Sequence, residues 1–228
     1  MLLSPKTRLL FIGDSITDCG RKRPVGEGDG PRALGHGYVS LLQAAIFAAY
    51  PDYALQILNT GVSGDTVHDL RARWTPDVLS LRPDWLSIFI GINDVWKHCA
   101  PWGEVESANG LDESIAMLDE LVVRTQPRLS GLILMTPYYL QPERTDPTRQ
   151  AMDRYGAGVR RLAEQRGAVL VDTQAAFDRV MSWIDPFELA EDRVHVGQTG
   201  HLVLARAVLD ALGFDWSRIP PSLGKGER

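Results

Sequence analysis

Ser15 follows a short apolar run near the start of the chain, in the segment FIGDSITDCG (11–20). A serine in this place has three available roles: a turn residue, the N-cap of a helix, or a nucleophile. A nucleophilic serine needs a base to take its proton, and histidine suits that task because its unperturbed pKa is about 6.5. His195 lies three residues after Asp192. A single loop can therefore present a base together with an acid that holds its tautomer.

Small polar residues and glycines also stand directly after other apolar runs. The segment NTGVSGD (59–65) ends one run, GIND (91–94) ends the next, and TPYY (136–139) ends a third. A serine that served only as a turn residue or a cap would not require polar residues and glycines after the other apolar runs. Each motif is weak by itself, and the combined signal lies in their order along the chain.

The elements that must position these motifs are strands and helices in alternation. Continuous runs of Leu, Ile, Val and Phe are typical of strands buried on both faces. Their alternation with segments of helical spacing predicts an α/β fold, a parallel sheet with helices on both faces. Ligands of such sheets bind outside the carboxyl ends of the strands, where these motifs fall. The predicted strands are 8–14, 55–61, 84–91, 131–137 and 168–173, and the predicted helices are 35–50, 66–80, 111–126, 147–166 and 198–212.

Length and composition predict one globular domain over 1–228, with 44% hydrophobic residues. Two segments look irregular, the loop at 20–34 and a tail at 215–228. A net charge of −5 without a basic stripe argues against a nucleic-acid partner. No apolar run approaches the roughly 20 residues that span a bilayer, which argues against a membrane partner. Two cysteines and an N-terminus unlike a signal peptide predict a cytoplasmic protein.

The motifs together resemble those of the SGNH, or GDSL, hydrolase family. The four blocks of that family stand here in order as GDS (13–15), NTGVSG (59–64), GIND (91–94) and DRVH (192–195), spanning nearly the whole chain. The resemblance implies a flavodoxin-like three-layer α/β/α sandwich with a five-stranded parallel sheet. It also implies ester hydrolysis by a serine nucleophile, without a cofactor.

Carried over by motif, the resemblance makes Ser15 the nucleophile, His195 the base and Asp192 the acid that orients the base. The backbone N–H groups of Ser15 and Gly64 and the side-chain amide of Asn93 would form the oxyanion hole. The residue types suit these roles, because glycine lets a substrate approach the backbone and an asparagine amide is a neutral donor. Losing one such donor typically lowers the rate ~100- to 1,000-fold.

Several residues have competing interpretations. Asp172 also ends a predicted strand and is a second candidate for the acid, although capping the next helix is the simpler role. No metal site is expected, because His195 and His201 lack further ligands at suitable spacing. Five residues near the motifs are predicted substrate contacts, with core packing or loop hydrogen bonding as the alternative; they are Asp14, Trp96, His98, Tyr138 and Tyr139.

The resemblance is closer to a subset of bacterial carbohydrate esterases that includes acetylxylan esterases. The stretches that look like this subset are GDSITDCGR, SGDTVHDLRARW, GINDVW, LILMTPYYLQP and VDTQAAFD. They imply removal of acetyl groups from xylo-oligosaccharides or related sugars through an acyl-serine intermediate, and assembly as a homo-oligomer. One departure from the family is Val-Gly after His195, where many members have Pro and a small polar residue, which puts substrate access in doubt.

Three other functions stay open at this point. The chain could be a GDSL-type lipase, arylesterase or thioesterase that acts on non-carbohydrate esters. It could be a non-catalytic sugar-binding protein on the same fold, since fold does not fix function. A phosphate-binding flavodoxin-like protein would use the hydroxyls and glycines after the first strand, but it leaves His195 and Asn93 unexplained.

Overall fold

The sheet is the centre of the molecule. A computed structural model describes residues 1–28, 30, 32–99 and 109–222, with only the backbone at 97–99 and 109. Parallel pairing joins five of the strands, and their order is the flavodoxin-like one once the short second strand is set aside. In chain order the strands are β1 (Arg8–Gly13), β2 (Gly26–Glu27), β3 (Gln56–Asn59), β4 (Trp85–Phe89), β5 (Gly131–Met135) and β6 (Val169–Val171).

The described part of the sheet has six strands, in the order β2-β3-β1-β4-β5-β6, instead of the five that were predicted. The additional strand β2 lies inside the predicted loop at 20–34 and pairs antiparallel with β3, with Gly26 opposite Asn59. Two residues are too short to give a periodic pattern, and glycine and glutamate are not strand formers. This strand exists because β3 offers a free edge, so only the tertiary fold creates it.

Helices cover both faces of the sheet and complete the three layers. One group includes α2, α7 and α9, in which α9 contacts both α2 and α7, and a second group includes α3, α5 and α6, in which α5 contacts both α3 and α6. The flavodoxin-like α/β/α sandwich implied by the motifs is thereby confirmed. The helices are α1 (Ser15–Asp18), α2 (Tyr38–Ala49), α3 (Val67–Asp77), α4 (Ile92–Cys99), α5 (Asn109–Thr125), α6 (Pro147–Arg166), α7 (Thr173–Met181), α8 (Pro186–Leu189) and α9 (Gln198–Ala211).

Burial explains why the strand runs are continuously apolar. Every residue of β4 is buried, and so is β1 after its first residue. The two strands lie side by side at the centre of the sheet. The chain passes from β1 to β3 on one side of this pair and from β4 to β5 on the other side. Ligand crevices form at such a topological switch point. The segments that leave the carboxyl ends of β1 and β4 carry Ser15 and Asn93.

The predicted tail at 215–228 is bound to the domain as far as it is described. The Arg218 guanidinium donates to both carboxylate oxygens of Asp52, at 2.9 and 2.7 Å, and its central carbon lies 4.1 Å from the centre of the Tyr50 ring. Residues 223–228 lie outside the described part of the chain. Among the described helices, we find none with the length and apolarity needed to cross a bilayer.

Candidate active site

The turn after β1 exposes the hydroxyl of Ser15. Asp14 is the N-cap of α1, and its Oδ1 accepts a hydrogen bond from the backbone N–H of Ile16 at 3.0 Å. The capping role considered for Ser15 therefore belongs to its neighbour. Ser15 is the first residue of α1, and its Oγ lies 2.9 Å from Nε2 of His195. A side chain at Gly13 would collide with the carbonyl of Phe89, so glycine is needed where the chain enters this turn.

A loop between α8 and α9 brings the predicted acid and base together. Asp192 Oδ2 lies 2.5 Å from Nδ1 of His195, and its Oδ1 accepts from the backbone N–H groups of Val194 and His195 at 3.0 and 2.8 Å. An ionised carboxylate only accepts hydrogen bonds, so Nδ1 carries the proton. The lone pair of Nε2 then faces the Ser15 hydroxyl, which is the arrangement of a general base.

The charge of Asp192 is held by the same hydrogen bonds. Partial burial would raise the pKa of Asp192, but the His195 ring and the two backbone donors hold that pKa below its usual value. The carboxylate therefore stays ionised at neutral pH and fixes the imidazole tautomer. Both side chains are close to half exposed, so the site opens to solvent.

Sequence reasoning missed the residues that hold this loop. Arg193 lies between the acid and the base, and its backbone adopts the left-handed region, with φ of 65°. Its guanidinium donates to the carbonyl of Leu140 at 2.9 Å and lies 4.6 Å from the centre of the Phe187 ring. The Tyr138 hydroxyl donates to the carbonyl of Val194 at 2.6 Å. No local pattern reveals these contacts, because their partners are far away in sequence.

Three residues predicted to bind an oxyanion beside Ser15 Oγ have N–H groups that make no hydrogen bond within the described part of the chain. Within the described residues, the backbone N–H groups of Ser15 and Gly64 donate no hydrogen bond. Gly64 has a φ of +85°, and a Cβ there would meet nothing within 4 Å, so its peptide lies beside open space. Asn93 uses one amide hydrogen to donate to the carbonyl of Asp65 at 2.9 Å, which leaves the other available. These are the groups that the resemblance assigns to an oxyanion hole.

The structure separates the predicted substrate contacts into two groups. Asp14 and Tyr138 are 1% and 0% exposed, so they lie behind the site and offer a substrate no surface. Trp96 is partly buried, and its ring centre lies 6.0 Å from that of His195. Tyr139 is also partly buried. The side chain of His98 lies outside the described residues.

Asp172 caps α7 rather than contacting the histidine. Its Oδ1 accepts from the backbone N–H of Ala175 at 3.0 Å, and Arg160 donates to both of its carboxylate oxygens at 2.8 and 3.0 Å. The simpler of the two roles considered for this residue therefore matches the geometry. In the described part of the chain, no group of three or more His, Cys, Asp or Glu residues is arranged to hold a metal ion.

Two buried carboxyl groups lie behind the donors. Burial raises the pKa of Asp14 to about 7; the Ile16 N–H opposes this shift, and the neighbouring Asp94 and Asp65 add to it. Burial also raises the pKa of Asp94, whose Oδ1 accepts from the Val67 N–H at 3.2 Å and from the Ser114 hydroxyl at 3.0 Å. The folded state therefore favours the neutral form of Asp14.

We expect an Asp14→Asn substitution to weaken the loss of stability as pH rises. The pKa of Asp14 is about 7 in the folded state and 3.8 in the reference state. The contribution of the protonated Asp14 side chain to the free energy of unfolding is fully present below about pH 4 and is lost as pH rises through about 7. At about 1.4 kcal/mol per pKa unit, this amounts to about 4 kcal/mol. Asparagine keeps the cap acceptor and stays neutral at every pH.

Urea unfolding at pH 4.5 and pH 8 measures this difference. The stability of the variant relative to wild type should rise between the two pH values. Parallel pH dependence of the two proteins would contradict a proton held by Asp14. Comparison with wild type at each pH removes the contributions of the other carboxyl groups.

Comparison with known proteins agrees with this geometry. The model of the GDSL-like lipase/acylhydrolase family matches residues 11–203. An acetylxylan esterase from Geobacillus stearothermophilus is 49% identical over 218 residues, covering 96% of this chain and 99% of that protein. Its crystal structure superposes with a TM-score of 0.91 at 48% identity, over 96% of this chain and 99% of the other.

Further solved structures extend the comparison. Three are of catalytic mutants of the same Geobacillus enzyme, in which a serine, a histidine or an aspartate is replaced by alanine. An alpha/beta hydrolase from the metagenome of Lake Arreo, Spain, is 44% identical with a TM-score of 0.87, covering 94% of this chain and 98% of that one. The fold, the ordered motifs and the family match agree, and the chain therefore belongs to the GDSL-like lipase/acylhydrolase family.

Proposed function

We propose that this protein is a serine esterase that removes acetyl groups from xylo-oligosaccharides or related acetylated sugars. The observation that carries the proposal is the row of hydrogen bonds from Asp192 through His195 to Ser15, at 2.5 and 2.9 Å. The sugar substrate is supported by the relative that is named an acetylxylan esterase and by a solved structure of it described as an acetyl-xylooligosaccharide esterase.

The first half of the proposed reaction forms an acetyl-serine. Ser15 Oγ attacks the acetyl carbonyl carbon while its proton passes to Nε2 of His195, and Asp192 stabilises the imidazolium that results. The carbonyl oxygen becomes an oxyanion that accepts from the donors beside Ser15. The intermediate collapses, the bond to the sugar oxygen breaks, and His195 returns the proton to that oxygen.

Water completes the cycle. His195 takes a proton from a water molecule as the water oxygen attacks the acetyl carbon. A second oxyanion forms in the same place, the bond to Ser15 Oγ breaks, and His195 returns the proton to that oxygen. Acetate leaves and the free serine is restored. The exposed position of His195 lets water reach the acetyl-serine.

We further propose that Trp96 contacts the sugar. Its ring lies beside His195, where the leaving alcohol would depart, and sugars stack on aromatic rings. Tyr139 and His98 remain candidates for the same surface.

Acetate release from acetylated xylo-oligosaccharides tests the substrate. We expect their turnover, and we expect acetyl esters of a simple alcohol to be hydrolysed faster than octanoyl esters of that alcohol. The Ser15→Ala variant measures the background. Faster hydrolysis of octanoyl esters would support a lipase-type substrate and leave the mechanism intact. Tight sugar binding without acetate release would instead support a sugar-binding protein.

We also propose a cytoplasmic homo-oligomer without nucleic-acid or membrane partners. Large apolar side chains on the surface support self-association, since Trp183 and Ile219 are 91% and 85% exposed. The free thiol of Cys19 supports a reducing compartment. The net charge of −5 does not favour polyanions. Sedimentation velocity would measure the size of the assembly.

A further inference from the structure

Arg73 of α3 lies behind the candidate oxyanion hole. Its side chain is only 17% exposed, and its guanidinium makes four hydrogen bonds to separate parts of the chain. Nη2 donates to the carbonyl of Gly13 at 3.1 Å, and Nε donates to Oδ2 of Asp65 at 2.5 Å. Nη1 donates to the carbonyl of Thr60 and to Oδ2 of Asp77, both at 2.6 Å.

Two of these contacts lie next to the backbone donors of the oxyanion hole. Gly13 comes two residues before Ser15, and Asp65 directly follows Gly64. One guanidinium is thus hydrogen-bonded both to the turn after β1 and to the loop after β3. Each contact lies one or two residues from a peptide N–H that would face the oxyanion.

The same arginine also reaches the third donor through one intermediate. The backbone carbonyl of Asp65 accepts the hydrogen bond that orients the Asn93 amide. Arg73 holds the side chain of that aspartate, with its carboxylate 11% exposed. Displacing Asp65 would therefore move both the Gly64 peptide and the acceptor that fixes Asn93.

These links matter because the three donors belong to separate segments. Stabilisation of an oxyanion requires donors fixed before the charge develops, within about 0.5 Å of the productive geometry. The turn after β1 and the loop after β3 are joined directly by two hydrogen bonds, from the Val62 N–H to the Gly13 carbonyl at 2.9 Å and from the Ser63 N–H to Oδ2 of Asp18 at 3.0 Å. Neither of these bonds includes Gly64 or Asp65. A planar guanidinium with five N–H groups in fixed directions can join two of the segments directly, which a lysine ammonium cannot do as rigidly.

We propose that Arg73 is a positioning residue of the oxyanion hole, fixing the Asp65 end of the loop after β3 relative to Gly13, beyond the point where the Val62 N–H already joins the two segments. Arg73 does not touch the substrate and acts through Gly13 and Asp65. The inference rests on the proposed function, because it requires an oxyanion to form beside Ser15. The four ordered motifs do not include this arginine, although it lies in the stretch SGDTVHDLRARW that resembles the carbohydrate-esterase subset.

Arg73→Gln and Arg73→Lys variants test the proposal by steady-state kinetics on a short acetyl ester. Competent enzyme is counted by the endpoint of labelling with a serine-reactive phosphonate, so that kcat refers to each active site. We expect kcat per site to fall about 30- to 300-fold in Arg73→Gln, because misplaced donors lose stabilisation mainly in the transition state. KM should change less than about threefold. The kcat per site of Arg73→Lys should lie between the values for Arg73→Gln and wild type.

Arg166→Gln is the matched control. Arg166 donates to both carboxylate oxygens of Asp119, at 2.6 and 2.7 Å, and this ion pair joins α6 to α5 outside the site. Its loss should lower Tm and leave kcat per labelled site at the wild-type value. If Arg73→Gln behaves in the same way, or raises KM with kcat unchanged, Arg73 is structural and the inference is overturned. If Arg73→Gln fails to fold, the Arg73→Lys variant, which retains the charge, provides the same kinetic test.

The two proposals fail in different ways. Absence of stoichiometric labelling at Ser15 of wild type, or full activity of Ser15→Ala, would overturn the proposed function. Labelling of wild type with unchanged kcat per site in both Arg73 variants would overturn only the positioning role.

Discussion

Replacing Ser15 by alanine should lower kcat for acetyl esters about 10⁴- to 10⁶-fold. The hydroxyl that lies 2.9 Å from Nε2 of His195 is lost, so no acyl-enzyme can form. The remaining donors and the imidazole stay in place, which leaves weak catalysis of direct attack by water. Acetate release over long incubations measures the residual rate. Thermal unfolding should change little, because the Asp14 side chain caps α1 and the Ser15 hydroxyl does not.

Ser182→Ala is the matched control for a serine-to-alanine change. The Ser182 hydroxyl donates to the carbonyl of Arg179 at the end of α7 and has no contact with the site. Its substitution should leave kcat at the wild-type value. A Ser15→Ala variant with more than about a tenth of wild-type activity would exclude Ser15 as the nucleophile. Intact mass measured after mixing with substrate should show an acetyl adduct on wild type only.

The second large effect is expected from Asp192→Asn, with kcat about 10⁴-fold below wild type. An asparagine keeps an acceptor for the backbone N–H groups of Val194 and His195, so the loop can retain its shape. Its amide group, however, would donate to Nδ1 and place the imidazole proton on Nε2. That tautomer faces Ser15 with a donor and cannot accept the serine proton. Steady-state kinetics at pH 7 measure the loss.

Asp172→Asn distinguishes the two acids that the sequence offered. Asp172 accepts from the Ala175 backbone and from Arg160, so its substitution should lower Tm while kcat stays near wild type. The opposite pattern, with Asp172→Asn inactive and Asp192→Asn active, would assign the acid to Asp172. Equal losses in both variants would indicate that the loop at Asp192 is not the sole support of His195.

The four ordered motifs predicted that the site would form at one edge of the sheet. GDS, NTGVSG and GIND fall at the carboxyl ends of apolar runs, each of which is a parallel strand at nearly the expected residues, and DRVH lies in the loop before α9. Ser15, Asp192 and His195, predicted to meet, lie in one hydrogen-bonded row across 180 residues of sequence. Their catalytic roles stay predictions until the substitutions are measured.

Some features had no pattern of their own. The strand β2 exists only against the edge of β3, and Ser15 could not be distinguished from Asp14 as the cap without backbone geometry. Tyr138, predicted as a substrate contact, is buried, and its hydroxyl donates to the carbonyl of Val194, 56 residues away. Local residue type does not encode such distant partners.

From the sequence alone, the five parallel strands, the helices α2, α3, α5, α6 and α9, and the residue types available for the reaction could be predicted. Those properties are local, because apolar periodicity and strand-end motifs extend over a few residues. Which polar side chains face solvent and which lie behind the site depends on the packing of the whole fold. The same is true of the contacts by which Arg73 joins Gly13 to the Asp65 loop. Hydrogen bonds between distant segments form only once the sheet has brought those segments together, so they leave no periodic signal in the chain.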